Sequence, residues 1–221
     1  MSVTLIAGAV LTGGGLAALF RHKRRIDRLA TFPFPDHIIR KLQTTYPHLT
    51  PEECDLVMRG LRQFFAVAMA ARGQRVAMPS QAVDTAWHEF ILSTRAYRDF
   101  CRQVLGRFLH HTPAEAMRTP RVAQDGIRRA WRLACRDEGM NPKTPERLPL
   151  LFALDARLAI PGGFFYAVNC RRGLGAGAAV EMGGGRAVYC ASDIGCSGGG
   201  GWGDGGGGDG DGDSGGGCGG D

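Results

Sequence analysis

Apolar residues recur along most of this chain at helical spacing, so the pattern predicts a protein built from helices. Ile38, Ile39 and Leu42 share one side of a short helix over Asp36 to Tyr46. Thr50, Pro51 and Glu53 then give a strong helix start: a threonine N-cap, a proline at the first helical position and a glutamate that closes a capping box. That helix should run to Arg72 and stop at Gly73, with Leu56, Val57, Leu61, Phe64, Phe65 and Ala68 forming a wide apolar face. Ser80 caps the next, in which Val83, Trp87, Phe90 and Ile91 repeat in phase. Thr94 begins another, with Tyr97, Phe100, Cys101, Val104 and Leu105 inward and Gly106 at its end. Thr112, Pro113 and Glu115 repeat the capping chemistry of Thr50. Arg121 to Glu138 places Ile127, Ala130, Trp131, Ala134 and Cys135 on one face, and Leu148 to Leu158 makes a last short helix. The expected core includes Trp87, Tyr97, Phe100 and Trp131.

Two segments break this pattern. Val3 to Phe20 has no charged side chain over 18 residues, about 27 Å of helix against a hydrocarbon layer of about 30 Å. The basic run RHKRR at Arg21 to Arg25 follows it rather than precedes it, which favours a retained anchor over a cleaved signal peptide. The expectation is a single-pass protein of the cell inner (plasma) membrane, with its body in the cytoplasm against an anionic leaflet. At the other end, 17 of the 27 residues from Gly195 to Asp221 are glycine. So little can be buried there that the tail is expected to be disordered. AVEM-GGG-RAVYC, ending at Cys190, is expected to be at most a short hairpin. The domain division is therefore an anchor with basic flank over 1–31, a helical domain over 32–172 and a glycine-rich tail over 173–221. The fold class is all-α: one transmembrane helix, a helical bundle and a disordered tail.

With 44% hydrophobic and 22% charged residues, the chain has room for one core of ordinary size. Up to position 192 it carries 27 basic against 15 acidic residues, a net +12, and the six acidic residues beyond are all aspartate. Such a body is drawn to anionic surfaces. Scattering of the arginines through amphipathic helices argues for solvated faces rather than nucleic-acid binding. The partners expected are the membrane and an unknown protein, with homo-oligomerisation through Gly13 to Gly15 as an open alternative.

Seven cysteines, an odd number without regular spacing, are read as reduced. Cys170, Cys190, Cys196 and Cys218 lack zinc-ribbon spacing. Asp209, Asp211 and Asp213 start like a calcium loop, but Ser214 and Gly220 fall at its sixth and twelfth positions and the pattern fails. Candidate chemistry is concentrated between Val83 and Pro113. Asp84 and His88, four apart, face the same way on a helix, and a loop bearing His110 and His111 could complete a transition-metal site for Zn, Fe or Mn. Cys101 is an additional ligand or a core thiol, and a Cys101 nucleophile with a histidine base is the enzymatic alternative. Against these stands a purely structural role, with Asp84 accepting a hydrogen bond from His88. Two functions follow: a tethered, non-catalytic module that binds a partner, and a metal-binding protein or metal-dependent enzyme.

VDTAWHEFIL (Val83–Leu92), YRDFC (Tyr97–Cys101) and GRFLHHTP (Gly106–Pro113), followed by a glycine-rich end, resemble the glycine-rich domain-containing protein family. The resemblance implies a helical region in a regulatory or stress-response protein, with no enzymatic activity to carry over. The apolar N-terminal segment and the short tail depart from that family.

Overall fold

The computed structural model describes residues 20–111, 120–168 and 188–190. Helix α1 occupies residues 20–31, followed by α2 (His37–Thr45), α3 (Pro51–Ala70), α4 (Gln81–Leu92) and α5 (Thr94–Phe100). Helix α5 continues into a π-helical turn over Cys101–Leu105. Helices α6 (Pro120–Asp137) and α7 (Leu150–Arg157) and strands β1 (Phe165–Ala167) and β2 (Val188–Cys190) complete the described elements.

Local chemistry accounts for where the long helices begin. Thr50 accepts the Glu53 N–H at 3.2 Å while Glu53 accepts the Thr50 N–H at 2.8 Å, so two donors at the start of α3 are satisfied reciprocally. Ser80 accepts the Val83 N–H at 3.2 Å and opens α4. Helix α3 is the hub: α2, α4, α6 and α7 all pack on it. Leu61, Phe64, Phe65 and Val67 of α3 are buried, as are Trp87, Tyr97, Phe100 and Trp131 from the surrounding helices. Phe32 and Phe34, in the proline-rich joint after α1, enter an aromatic cluster with Phe65, Phe90 and Phe100, with ring centroids 4.7–6.2 Å apart. Arg62 ties this joint down: its guanidinium lies 4.7 Å over the Phe34 ring and donates to the carbonyls of Leu29 and Phe32.

The all-α, single-pass expectation needs correction in two respects. Among the described residues no helix is long and apolar enough to cross a membrane. Helix α1 carries Arg21, His22, Lys23, Arg24, Arg25, Asp27 and Arg28, and exposes Phe20 while burying Leu29. A membrane span cannot be built from so polar a helix. Among the described residues nothing supports the transmembrane helix expected at Val3 to Phe20, of which residues 3–19 lie outside the described residues. The single-pass inner-membrane location with a cytoplasmic body rested on that helix and has no support among the described residues.

The second correction is a small sheet. Val188–Cys190 pairs in parallel with Phe165–Ala167, in the register Phe165↔Val188, Tyr166↔Tyr189 and Ala167↔Cys190. Tyr166 and Tyr189 lie 5.7 Å apart, and Tyr166 packs on Phe152 of α7 at 4.9 Å. The described partner of the VYC segment is therefore a strand more than twenty positions upstream, not the other arm of a local hairpin. The first arm of that hairpin, the helix start at Thr112 and the glycine-rich tail lie outside the described residues.

Candidate metal site

Two segments build the site. Helix α4 carries Asp84 and His88 one turn apart, with His88 Nδ1 3.8 Å from Asp84 Oδ2. This helix is fixed at its N-terminus by Asp155 of α7, whose buried carboxylate accepts from Ser80 Oγ at 2.7 Å, from the Gln81 N–H at 2.7 Å and from the Ala82 N–H at 3.3 Å.

The second segment must reverse direction to reach α4. The π turn over Cys101–Leu105 widens the helix, a deviation often found beside functional sites. Gly106 closes it in the left-handed region at φ 74°, where a side chain is disfavoured, and donates its N–H to the Cys101 carbonyl at 2.7 Å. Residues 107–111 then return across α4. Arg107 donates to the Ala68 carbonyl at 3.2 Å, and the Tyr97 hydroxyl donates to the Leu109 carbonyl at 2.5 Å.

His111 arrives between the two α4 residues. Its Nε2 is 2.9 Å from Asp84 Oδ1 and its Nδ1 is 3.3 Å from His88 Nε2. One proton arrangement satisfies both contacts: His111 donates through Nε2 to the carboxylate and accepts at Nδ1 from His88. The Trp87 ring supports His111 edge-on, with centroids 4.6 Å apart. Asp84, His88 and His111 can each offer one ligand atom such that all three lie within 4.8 Å of one another. Metal–ligand bonds of about 2.0–2.2 Å put the donors of a tetrahedral ion about 3.4 Å apart. The set therefore fits an ion after a modest inward movement, and the half-exposed His88 side chain is free enough to make it. Exposure falls from 53% at His88 through 23% at Asp84 to 12% at His111, so the site has a buried floor and an open outer side.

The other candidates fall elsewhere. His110 is exposed, lies tilted against the Phe108 ring with centroids 4.8 Å apart, and is not in the triad. Cys101 is buried in the core, and burial pushes its thiol pKa up despite contacts with the Leu109 backbone and the Tyr97 hydroxyl. Two contributors have no signal in the sequence: Asp155, more than seventy positions from the helix it caps, and the Tyr97 hydroxyl, which pins a carbonyl rather than a side chain.

The family model that matches the chain is described as UCP032817-like and covers residues 24–194. No curated protein and no solved structure matches it. The chain belongs to the UCP032817-like family. This corrects the resemblance to the glycine-rich domain-containing family. The matched region begins within α1 and ends before the glycine-dense tail, so the glycine-rich end that helped suggest that resemblance lies outside it.

Proposed function

We propose that this chain is a metal-binding protein that holds one divalent transition ion, of the Zn, Fe or Mn class, on Asp84, His88 and His111. One observation carries the reading: two imidazoles and a carboxylate from separate segments converge within 4.8 Å. Two histidines and one carboxylate are a recurrent donor set for such ions, and three protein ligands leave coordination positions for water or an exogenous ligand. The exposed side at His88 is where that ligand would enter. The histidines must be neutral to bind, so affinity should weaken in acid.

The test is metal content and metal-linked stability of the full chain. The protein should take up about one equivalent of metal, and an ion at a hundred times its Kd should add about 2.7 kcal/mol to folding stability. His88→Ala should abolish both effects, whereas His110→Ala should leave them intact. A folded parent that takes up no Zn, Fe or Mn and shows no melting shift would overturn the proposal.

A second reading, binding of a protein partner, draws support from the surface beside the triad. Ile91, Thr94, Arg95, Tyr97, Arg98 and the 49%-exposed Phe108 line a shallow groove, and Leu92, the chain neighbour of Ile91, is 73% exposed. An acidic segment with an apolar anchor would complement that mixture. Leu92→Ser with Arg95→Glu should then eliminate a partner captured by the parent while metal uptake is unchanged; capture that survives both substitutions would remove this reading.

A further inference from the structure

We infer that Tyr97 is a positioning residue for the metal site, acting through the backbone that carries His111; the inference rests on the metal-binding reading above. Asp84 and His88 sit on a helix whose start is held by buried hydrogen bonds, but His111 lies beyond α5 and the π turn in irregular chain. Such a ligand needs an external constraint, because a loop that samples many conformations forfeits affinity when it is ordered by the ion.

Tyr97 supplies it. Its ring is buried at 2% exposure and packs against Phe90 at 5.3 Å and Phe108 at 5.5 Å. Its hydroxyl receives the Trp87 indole N–H at 3.2 Å and gives its own proton to the Leu109 carbonyl, two residues before His111. Burial pushes the phenol far above its ordinary range, so the hydroxyl remains a donor. Trp87, on the same helix as two of the ligands, also supports the His111 ring. The chain Trp87 to Tyr97 to Leu109 therefore joins the rigid half of the site to the irregular half through groups that touch no ion.

Tyr97→Phe keeps the ring and removes only the hydroxyl. Partners that orient metal ligands typically change affinity by about 10–100-fold when removed, and a loss of that size is expected for Zn(II) binding to the full-length variant. The Co(II) absorption spectrum should shift as well, since the geometry at His111 is altered. Trp131→Phe is a stability control: it deletes the indole N–H that donates to the Pro142 carbonyl at 3.0 Å together with part of a buried ring, and should lower the melting temperature without changing Zn(II) affinity. Parent-like affinity and spectrum in Tyr97→Phe, with melting lowered as in the control, would show a merely structural tyrosine and overturn the inference. If Tyr97→Phe does not fold, Trp87→Phe removes both the N–H that orients the hydroxyl and part of the ring that supports His111, and unchanged affinity there overturns it equally. A parent that binds no Zn(II) overturns the metal reading itself, an outcome distinct from a parent that binds and a Tyr97 variant that binds equally well.

Discussion

Asp155 and Ser80 are joined by a buried hydrogen bond, hydroxyl to carboxylate, 2.7 Å long and spanning 75 positions of sequence. The same carboxylate accepts the N–H groups of Gln81 and Ala82 at the start of α4 and of Phe164 at 2.9 Å, just before β1. One aspartate thus satisfies the helix that carries two of the candidate ligands and the turn that leads to the sheet.

Replacing Asp155 with Ala would leave that hydroxyl and three N–H groups without their acceptor. Each buried donor left unsatisfied costs about 1–3 kcal/mol, so a loss of at least about 3 kcal/mol is expected in urea denaturation. Loss below about 1 kcal/mol would show that water replaces the carboxylate.

Trp87 lies between the core and the site, packed on Phe64 at 4.8 Å and on His111 at 4.6 Å. Trp87→Ala should cost about 3–5 kcal/mol, as large aromatic truncations in cores do. Equilibrium unfolding checks this, and a variant melting with the parent would mean that the indole contributes no packing.

Glu138 gives an acid-sensitive contribution to stability. Burial pushes its carboxyl up, but donors from Gln63, the Leu150 N–H and Arg147, together with the Arg147 charge, overcome this and hold it below the usual carboxylate range. Its folded-state value lies below the unfolded one, so the stabilisation is fully present above about pH 4.3 and fades as pH falls from there through the lower folded value. Stability measured from neutral pH into acid should therefore decline less steeply in Glu138→Gln than in the parent. Parallel curves would remove Glu138 from the account.

The buried thiols should be slow to react. Burial pushes Cys54 and Cys101 up, and burial with the neighbouring Glu138 charge pushes Cys135 up to about 11. Little thiolate is present at neutral pH, and the thiolate is the reactive form. Site-resolved alkylation of the native protein should leave all three unmodified until denaturant is added. Rapid native labelling of Cys101 would instead revive a nucleophilic role.

The sequence by itself determined the helices whose ends are written in short-range chemistry. Thr50, Pro51 and Glu53 start α3, Ser80 starts α4, and Gly106 ends the helical run from Thr94, because caps and left-handed turns depend on residues within one turn of each other. It also placed Asp84 and His88 on one helical face, since a spacing of four is enough for that. It misled where composition stood in for context: a glycine-rich end suggested a different family from the one that matches residues 24–194, and no described helix supports the membrane span read from the apolar run. Only the tertiary structure decided which of two adjacent histidines joins Asp84. His110 and His111 are equivalent as residue types, and the π turn, Gly106 and the Tyr97 hydroxyl together fix the path that brings His111 inward and leaves His110 exposed against Phe108. Asp155 beneath α4 and the parallel pairing of Phe165–Ala167 with Val188–Cys190 are likewise tertiary decisions. Each joins groups more than twenty positions apart, beyond the reach of local periodicity and capping.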